Sequence, residues 1–436
     1  MSDLKSPPPP PGFAEALRTW ARIGVLSFGG PAGQIALMHR VLVDEKRWIG
    51  EARFLHALNF CMLLPGPEAQ QLATYVGWML HGVRGGLAAG LLFVLPGAAV
   101  IAGLAALYLL HADQPMVAAA FLGVKAAVLA IVAQAVVRIG ARALKGPAAF
   151  AIAAAAFVAI YALGVPFPLI VLGAGALGLV LGRLRPALLP VAAAEGAHTG
   201  AGRTRWGGTM RTALLWAAIW LAPVAVLNAA LGPANIYAEI ARVFATLAAV
   251  SFGGAYAVLA YLAQAGVETH GWLSAAEMVD GLGLAETTPG PLILVTEFVG
   301  FLAAAREGIE GAPIMGGLLG AGLTLWVMFA PSFLWIFALA PHVEALRGRP
   351  VLSAALAAIT AAVVGVVANL ALWFGIRVLF GEVTQAGGVD VPALASLDWT
   401  AAALSALALA LVFVAKRGVL TTLALCAGAA LALAAL

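Results

Sequence analysis

The chain has 436 residues, 63% of them apolar and only 10% charged, against roughly 45–50% and 25% in soluble proteins. With a mean hydropathy of +1.00, 50 glycines and 24 prolines, this excludes an ordinary soluble domain and leaves a polytopic, all-α membrane protein. A net charge of +4 is too small to argue for nucleic acid, and Cys61 and Cys426 cannot make a disulfide framework.

In chain order, residues 1–12, with a run of prolines, read as a short disordered tail rather than a secretory signal. Nine apolar stretches can cross a bilayer core of about 30 Å: 86–110, 115–141, 147–163, 165–182, 212–231, 311–340, 350–381, 399–415 and 418–436. Four further apolar segments are broken by Gly and Pro at their centres: 16–40 around FGGP, 53–81 around PGP, 239–264 around FGGA and 276–304 around PGP.

Shifting the chain by 224 residues superposes these breaks in pairs. Glu15 meets Glu239, Ser27-Phe28-Gly29-Gly30 meets Ser251-Phe252-Gly253-Gly254, Trp48 meets Trp272, and Pro65-Gly66-Pro67 meets Pro289-Gly290-Pro291. Beyond an 11-residue insertion near Arg306–Gly311, a shift of 235 aligns Pro96 with Pro331, Gln134 with Asn369 and Arg142 with Arg377. Two repeats are expected, 13–182 and 232–436, joined by a cytoplasmic linker over 183–211 and a single connecting span over 212–231.

Charge gives the orientation. Residues 39–53 carry Arg40, Lys46, Arg47 and Arg53, whereas the matched 263–277 has no Lys or Arg and adds Glu268 and Glu277. At the next loop the sign reverses again: 111–115 holds only Asp113, and its counterpart 341–350 holds Arg347 and Arg349. By the positive-inside rule the copies are inverted, with the N-terminus cytoplasmic and the C-terminus on the far side. Each broken segment then enters and leaves on one side, as a re-entrant hairpin whose arms are about 15 Å long and whose tip lies near the midplane. The alternative is four full spans kinked at proline.

Irregular backbone at that depth must line a wet cavity or be buried in protein, so the four tips are expected around one site. Pro67 and Pro291 open half-helices whose positive N-terminal ends favour an anion. Gln70, Gln71, Thr287 and Thr288 add hydrogen-bonding groups suited to oxyanion oxygens. Three ionisable residues invite a charge or coupling role. Lys125, deep in a span, reads as an anion counter-charge or half of a structural ion pair. Glu68 and Glu286 flank the PGP turns and are proton-coupling candidates, although Glu68 reads rather more readily as a helix cap. Glu297, and His56 with its repeat partner Asp280, are weaker candidates. Arg138 and Arg142 read as snorkelling to the inner interface. The seven dispersed histidines and the absence of HExxH, GxSxG or P-loop motifs give no enzyme signature, no metal site and no cofactor.

SFGGPAGQIALMHR with Trp48 and LLPGPEAQQLATYVGW, and then SFGGAYAVLAYL with TTPGPLILVTEFVGF, closely resemble the chromate ion transporter family in its long, two-domain form. The resemblance runs from residue 13 to the last spans. By position the family motif falls on Gly29, Gly30, Pro31, Pro65, Gly66, Pro67, Gly77, Gly253, Gly254, Pro289, Gly290, Pro291 and Gly300; Ala255 stands where the family often has a third glycine. The resemblance implies a prokaryotic inner-membrane secondary transporter that exports chromate by uniport or proton antiport and confers resistance. A carrier or channel for sulfate or another oxyanion is the alternative. The partners expected are a small inorganic oxyanion, the lipid bilayer and at most a second copy in a homodimer.

Overall fold

The computed structural model describes residues 11–185, 188–189, 206–252, 255–342, 350–386 and 389–435. Helix α1 (Phe13–Leu26) buries Ala16, Thr19, Trp20 and Ile23, a stripe at helical spacing. It stops at Ser27, and Gly29 and Gly30 then take left-handed backbone (φ 85° and 68°), which glycine adopts without steric penalty. Helix α2 (Gly30–His39) continues into a π-helical turn (Arg40–Glu45) that brings Lys46 to Glu15, Nζ to Oε1 at 2.7 Å. The chain has doubled back on its start.

The second broken segment follows. Helix α3 (Glu51–Cys61) leads into the Pro65-Gly66-Pro67 turn, and α4 (Glu68–His111) is broken at His81 and Gly82, whose φ/ψ are not helical. Its arms, 68–80 and 83–111, fold against each other so closely that a Cβ on Gly77 would lie 2.4 Å from the Gly85 carbonyl oxygen. The break sits beside the N-terminal end of α1, with His81 Nε2 2.7 Å from the Pro11 carbonyl oxygen.

Helices α5 (Pro115–Ala143), α6 (Pro147–Tyr161), α7 (Phe167–Leu184) and α8 (Trp206–Leu231) follow, and then the pattern recurs. Helix α9 (Ile236–Val250) is followed by α10 (Ala255–Leu262) and a π-helical turn (Ala263–Thr269), which returns His270 to Glu239 at 3.0 Å. These are the positions equivalent to Lys46 and Glu15. Helix α11 (Ala275–Thr287), opened by a Ser274–Glu277 capping box, leads through Pro289-Gly290-Pro291 to α12 (Val295–Glu307), whose Arg306 comes back to pair with Glu277. Helix α12 lies against α13 (Pro313–Leu339), with Gly300 close-packed on Gly320 as Gly77 is on Gly85.

Helices α14 (Pro350–Leu379), α15 (Trp399–Leu409) with its π-helical end (Ala410–Val414) and α16 (Val419–Ala434) complete the bundle. The long helix of each half is covered by the last two helices of the other: α14 packs on α6 and α7, α5 on α15 and α16. Among the described residues, six helices are long and apolar enough to cross a membrane. Three expected spans are shorter helices of 15 or 16 residues, Pro147–Tyr161, Trp399–Val414 and Val419–Ala434. Among the described residues one feature departs from an all-α protein: strands β1 (Val383–Ala386) and β2 (Val389–Pro392) form a small antiparallel hairpin, favoured by alternating valines. Most of the expected 183–211 linker lies outside the described residues.

Prolines inside two helices free carbonyls that find partners across the interface. Pro331 has no N–H for the Val327 carbonyl, which accepts from Trp220 Nε1 at 2.8 Å; Pro223 leaves the Ile219 carbonyl, which accepts from Trp326 Nε1 at 3.1 Å. Each tryptophan thus satisfies the other helix's broken ladder and fixes α8 on α13.

Candidate functional site

Each PGP turn joins the serine break of the other half. The Gly66 N–H donates to the Ser251 carbonyl at 3.1 Å, and the Gly290 N–H donates to the Ser27 carbonyl at 2.8 Å. Both glycines have positive φ, 117° and 94°, where a side chain would be strained. The second turn also presses on the first half's long arm: a Cβ on Gly97 would sit 2.0 Å from the Pro289 carbonyl oxygen. Reciprocally, Gly66 faces Ser332, which the 235-residue shift equates with Gly97.

Near these turns stand several buried polar side chains. Gln71 Nε2 donates to the Pro65 carbonyl at 2.7 Å, Gln34 Nε2 to the Gly290 carbonyl at 2.5 Å, and Gln70 Nε2 reaches the Phe329 carbonyl at 3.5 Å. The Oε1 atoms of all three glutamines, and the hydroxyls of Thr74 and Ser332, are buried without a partner. Buried polar groups are rarely left so; water or a ligand commonly completes them. The hydroxyls can donate to an oxyanion, and the amide oxygens can accept from its hydration water.

Other predicted residues are placed apart from these side chains. Thr287 and Thr288 turn their hydroxyls back to the Leu284 and Ala285 carbonyls of their own helix. Glu286 is buried and accepts from the Tyr256 hydroxyl at 3.2 Å, and Glu68 is half-buried in the first turn of α4. Pro31 opens α2, while Pro291 precedes a 3-10 turn (Leu292–Leu294) that leads into α12. Gly253 and Gly254 lie outside the described residues. For Lys125 the structure gives the ion-pair geometry: Nζ is 3.3 Å from Asp280 Oδ2, which also accepts from the Tyr108 hydroxyl at 2.8 Å, while Oδ1 is buried and unpartnered. This cluster ties α5 and α4 to α11. Gln34, Ser27, Ser251 and Ser332 were not assigned to the site from the sequence; Ser27 and Ser251 stand in the motif that the repeat superposes, which is the signal that marks them.

The comparisons agree with this architecture. The family model described as "Chromate transporter" matches residues 14–179 and 238–433. A chromate transport protein of Pseudomonas aeruginosa is 33% identical over 367 residues, covering 83% of this chain and 80% of that protein. A probable chromate transport protein of Synechococcus elongatus is 29% identical, covering 81% and 82%, and a chromate transport protein of Cupriavidus metallidurans is 27% identical, covering 79% and 78%. No solved structure matches the chain. A multi-pass helical bundle with buried broken helices, matched by this model over both halves, belongs to the chromate transporter family.

Proposed function

We propose that the protein exports chromate from the cytoplasm through the centre where the Gly/Pro turns of two inverted copies meet. The observation that carries the reading is the reciprocal exchange at the turns, Gly66 to Ser251 and Gly290 to Ser27, with unpartnered Gln34, Gln70, Gln71, Thr74 and Ser332 near it. Re-entry of all four broken segments is supported by their closing contacts: Glu15 with Lys46, His81 with Pro11, Glu239 with His270 and Glu277 with Arg306. Inversion is supported by the second arm of α4, which begins beside Pro11 and ends with Tyr108 on Asp280, so the two sets of closing contacts lie at its opposite ends. The arginine-rich 39–53 segment then marks the cytoplasmic end in an inner membrane.

Direction follows from the field. A dianion leaving an inside-negative cell gains about 4.6 kcal/mol per 100 mV, twice the single-charge value, so export needs no nucleotide site. Glu286, buried against Tyr256, is the group we assign to proton coupling. The test is purified protein in liposomes loaded with chromate or sulfate, with the potential set by a potassium gradient and the proton gradient varied separately. Chromate efflux that rises with an inside-negative potential and exceeds sulfate efflux is expected. Equal, potential-insensitive fluxes of both ions would overturn the reading, and a Glu286→Gln variant with unaltered proton dependence would remove Glu286 from it.

A further inference from the structure

Two cavities open at opposite ends of the bundle, and the repeat relates their walls. The first, of about 610 Å³, is lined by Gly29, Gln134, Arg138, Lys416, Arg417 and Gly418. The second, of about 90 Å³, is lined by Tyr161, Gln264, Glu268, Asn369, Trp373 and Asp390. The 235-residue shift carries Gln134 to Asn369 and Arg138 to Trp373. In each case the loop between the last two helices of the other half completes the wall, 412–419 for the first and 160–164 for the second.

The walls have opposite charge. Arg138, Lys416 and Arg417 face the first cavity, and among the described residues none has an acidic partner within 4 Å and no Asp or Glu lines the cavity. Arg138 donates only to Gln134 Oε1, at 2.8 Å on its own helix. Helix α16 begins in the same wall with Gly418 as an N-cap that no side chain serves, so its free N–H groups add a positive end. Lys416 is held at φ 50°, a left-handed conformation uncommon for a residue with a Cβ. The second cavity has Glu268 and Asp390, of which Asp390 pairs with Arg377 at 2.7 Å. Gly29, one of the central turns, forms part of the first wall, so that cavity reaches the transport centre directly.

We propose that the first cavity is the cytoplasmic capture site for the oxyanion, with Arg138, Lys416 and Arg417 as its ligands, and that the oppositely charged second mouth lowers return of the ion from outside. The inference rests on the transport reading above and adds the residues that set its sidedness. Three cations with no carboxylate within 4 Å, and a helix N-terminus, in one cleft raise the local concentration of a dianion by about 10-fold to 1,000-fold, an effect that falls as salt screens it. The snorkelling expected of Arg138 therefore ends at a cavity wall.

The test is chromate uptake into inverted membrane vesicles, whose outer face is the cytoplasmic one, for the natural protein and for the triple variant Arg138→Gln, Lys416→Asn, Arg417→Gln. Asn tolerates the left-handed backbone at 416, and all three side chains are exposed, so the variant retains its fold. The KM for chromate should rise about tenfold or more with kcat changed little, and the salt dependence of kcat/KM should flatten. A conservative variant, Arg138→Lys with Arg417→Lys, should stay within about twofold of the natural protein. An unchanged KM and an unchanged salt dependence in a transporting triple variant would overturn the capture site and leave the transport reading standing. Vesicles in which the natural protein moves no chromate would overturn the transport reading, and the capture site with it.

Discussion

The turns Pro65-Gly66-Pro67 and Pro289-Gly290-Pro291 share a backbone and differ in almost everything around it. Each glycine has positive φ and gives its N–H to a serine carbonyl of the other half. Yet Gln34, Gln70 and Gln71 of the first half correspond to Val258, Leu294 and Val295 in the second. Conversely, the buried carboxylates Asp280 and Glu286 correspond to His56 and Met62. What the duplication kept is the part that only backbone can do: break a helix, cross closely and exchange hydrogen bonds. The side chains have diverged: the neutral amides stand against the turns, and the carboxylates lie apart from them, Asp280 against Lys125 and Glu286 against Tyr256.

The largest effect should come from the close approach that only one half makes. A methyl at Gly97 would meet the Pro289 backbone oxygen, which cannot swing aside, whereas a methyl at Gly66 would meet the end of the flexible Gln71 side chain at 2.8 Å. Gly97→Ala should therefore abolish efflux and lower the amount of inserted protein, with Gly290→Ala and then Gly66→Ala less damaging. Efflux normalised to membrane-resident protein measures the series; Gly66→Ala as severe as Gly97→Ala would mean that packing is equally tight on both sides. Next comes the buried pair. Lys125→Met leaves Asp280 uncompensated and should cost about 3–5 kcal/mol, while Lys125→Met with Asp280→Leu should recover most of it. A double variant no more stable, by thermal unfolding in detergent, than the single one would show that Tyr108 and Lys125 act independently on Asp280. Smaller again is Trp220→Phe, which strands the Val327 carbonyl that Pro331 freed and should cost about 0.6 kcal/mol and at most about 1.7. Adding Pro331→Ala returns an N–H to that carbonyl and should offset the loss.

The order of these effects also marks how far the sequence could be read. The broken helices were legible because a Gly or Pro at the centre of an apolar segment has few structural meanings, and the repeat turned four ambiguous breaks into two matched pairs. Even the odd positions repeat: Arg47 has φ 53° where the matched Gly271 has 64°, each just after a π-helical turn. Pairings between halves were not legible. Nothing in one chain's spacing says that Gly66 finds Ser251 rather than Ser27, or that Trp220 caps Val327, because those contacts depend on how separate helices dock. Lys125 shows the limit most plainly: depth in a span identified a charge that needs a partner, and only the docking of α11 named Asp280. The β hairpin was missed because Val383–Pro392 is short and sits among spans whose apolar signal dominates.

The weakest contrast lies in the contacts that close the broken segments, and it is the one that pH can resolve. Glu15 with Lys46 is a half-exposed pair and should contribute only about 0.2–1 kcal/mol. Glu277 differs in that it also closes a capping box. Burial alone would raise its carboxyl, but the hydrogen bonds from Arg306 and from Ser274 outweigh burial and hold it below the ordinary value of 4.5. A carboxylate whose folded-state pKa is depressed stabilises fully above its unfolded pKa, and that stability is lost as pH falls through the folded value. Glu277→Gln should therefore be less stable than the natural protein at pH 7, and the gap should close as the pH falls below 4.5. Removing Lys46 should lower stability by less at pH 7 than removing Glu277 does, since no helix cap is lost with it. A gap for Glu277→Gln that stays constant from neutral to acid pH would assign its effect to the shape of the amide in the cap, and the charge on Arg306 would then have no part in holding α12 against α11.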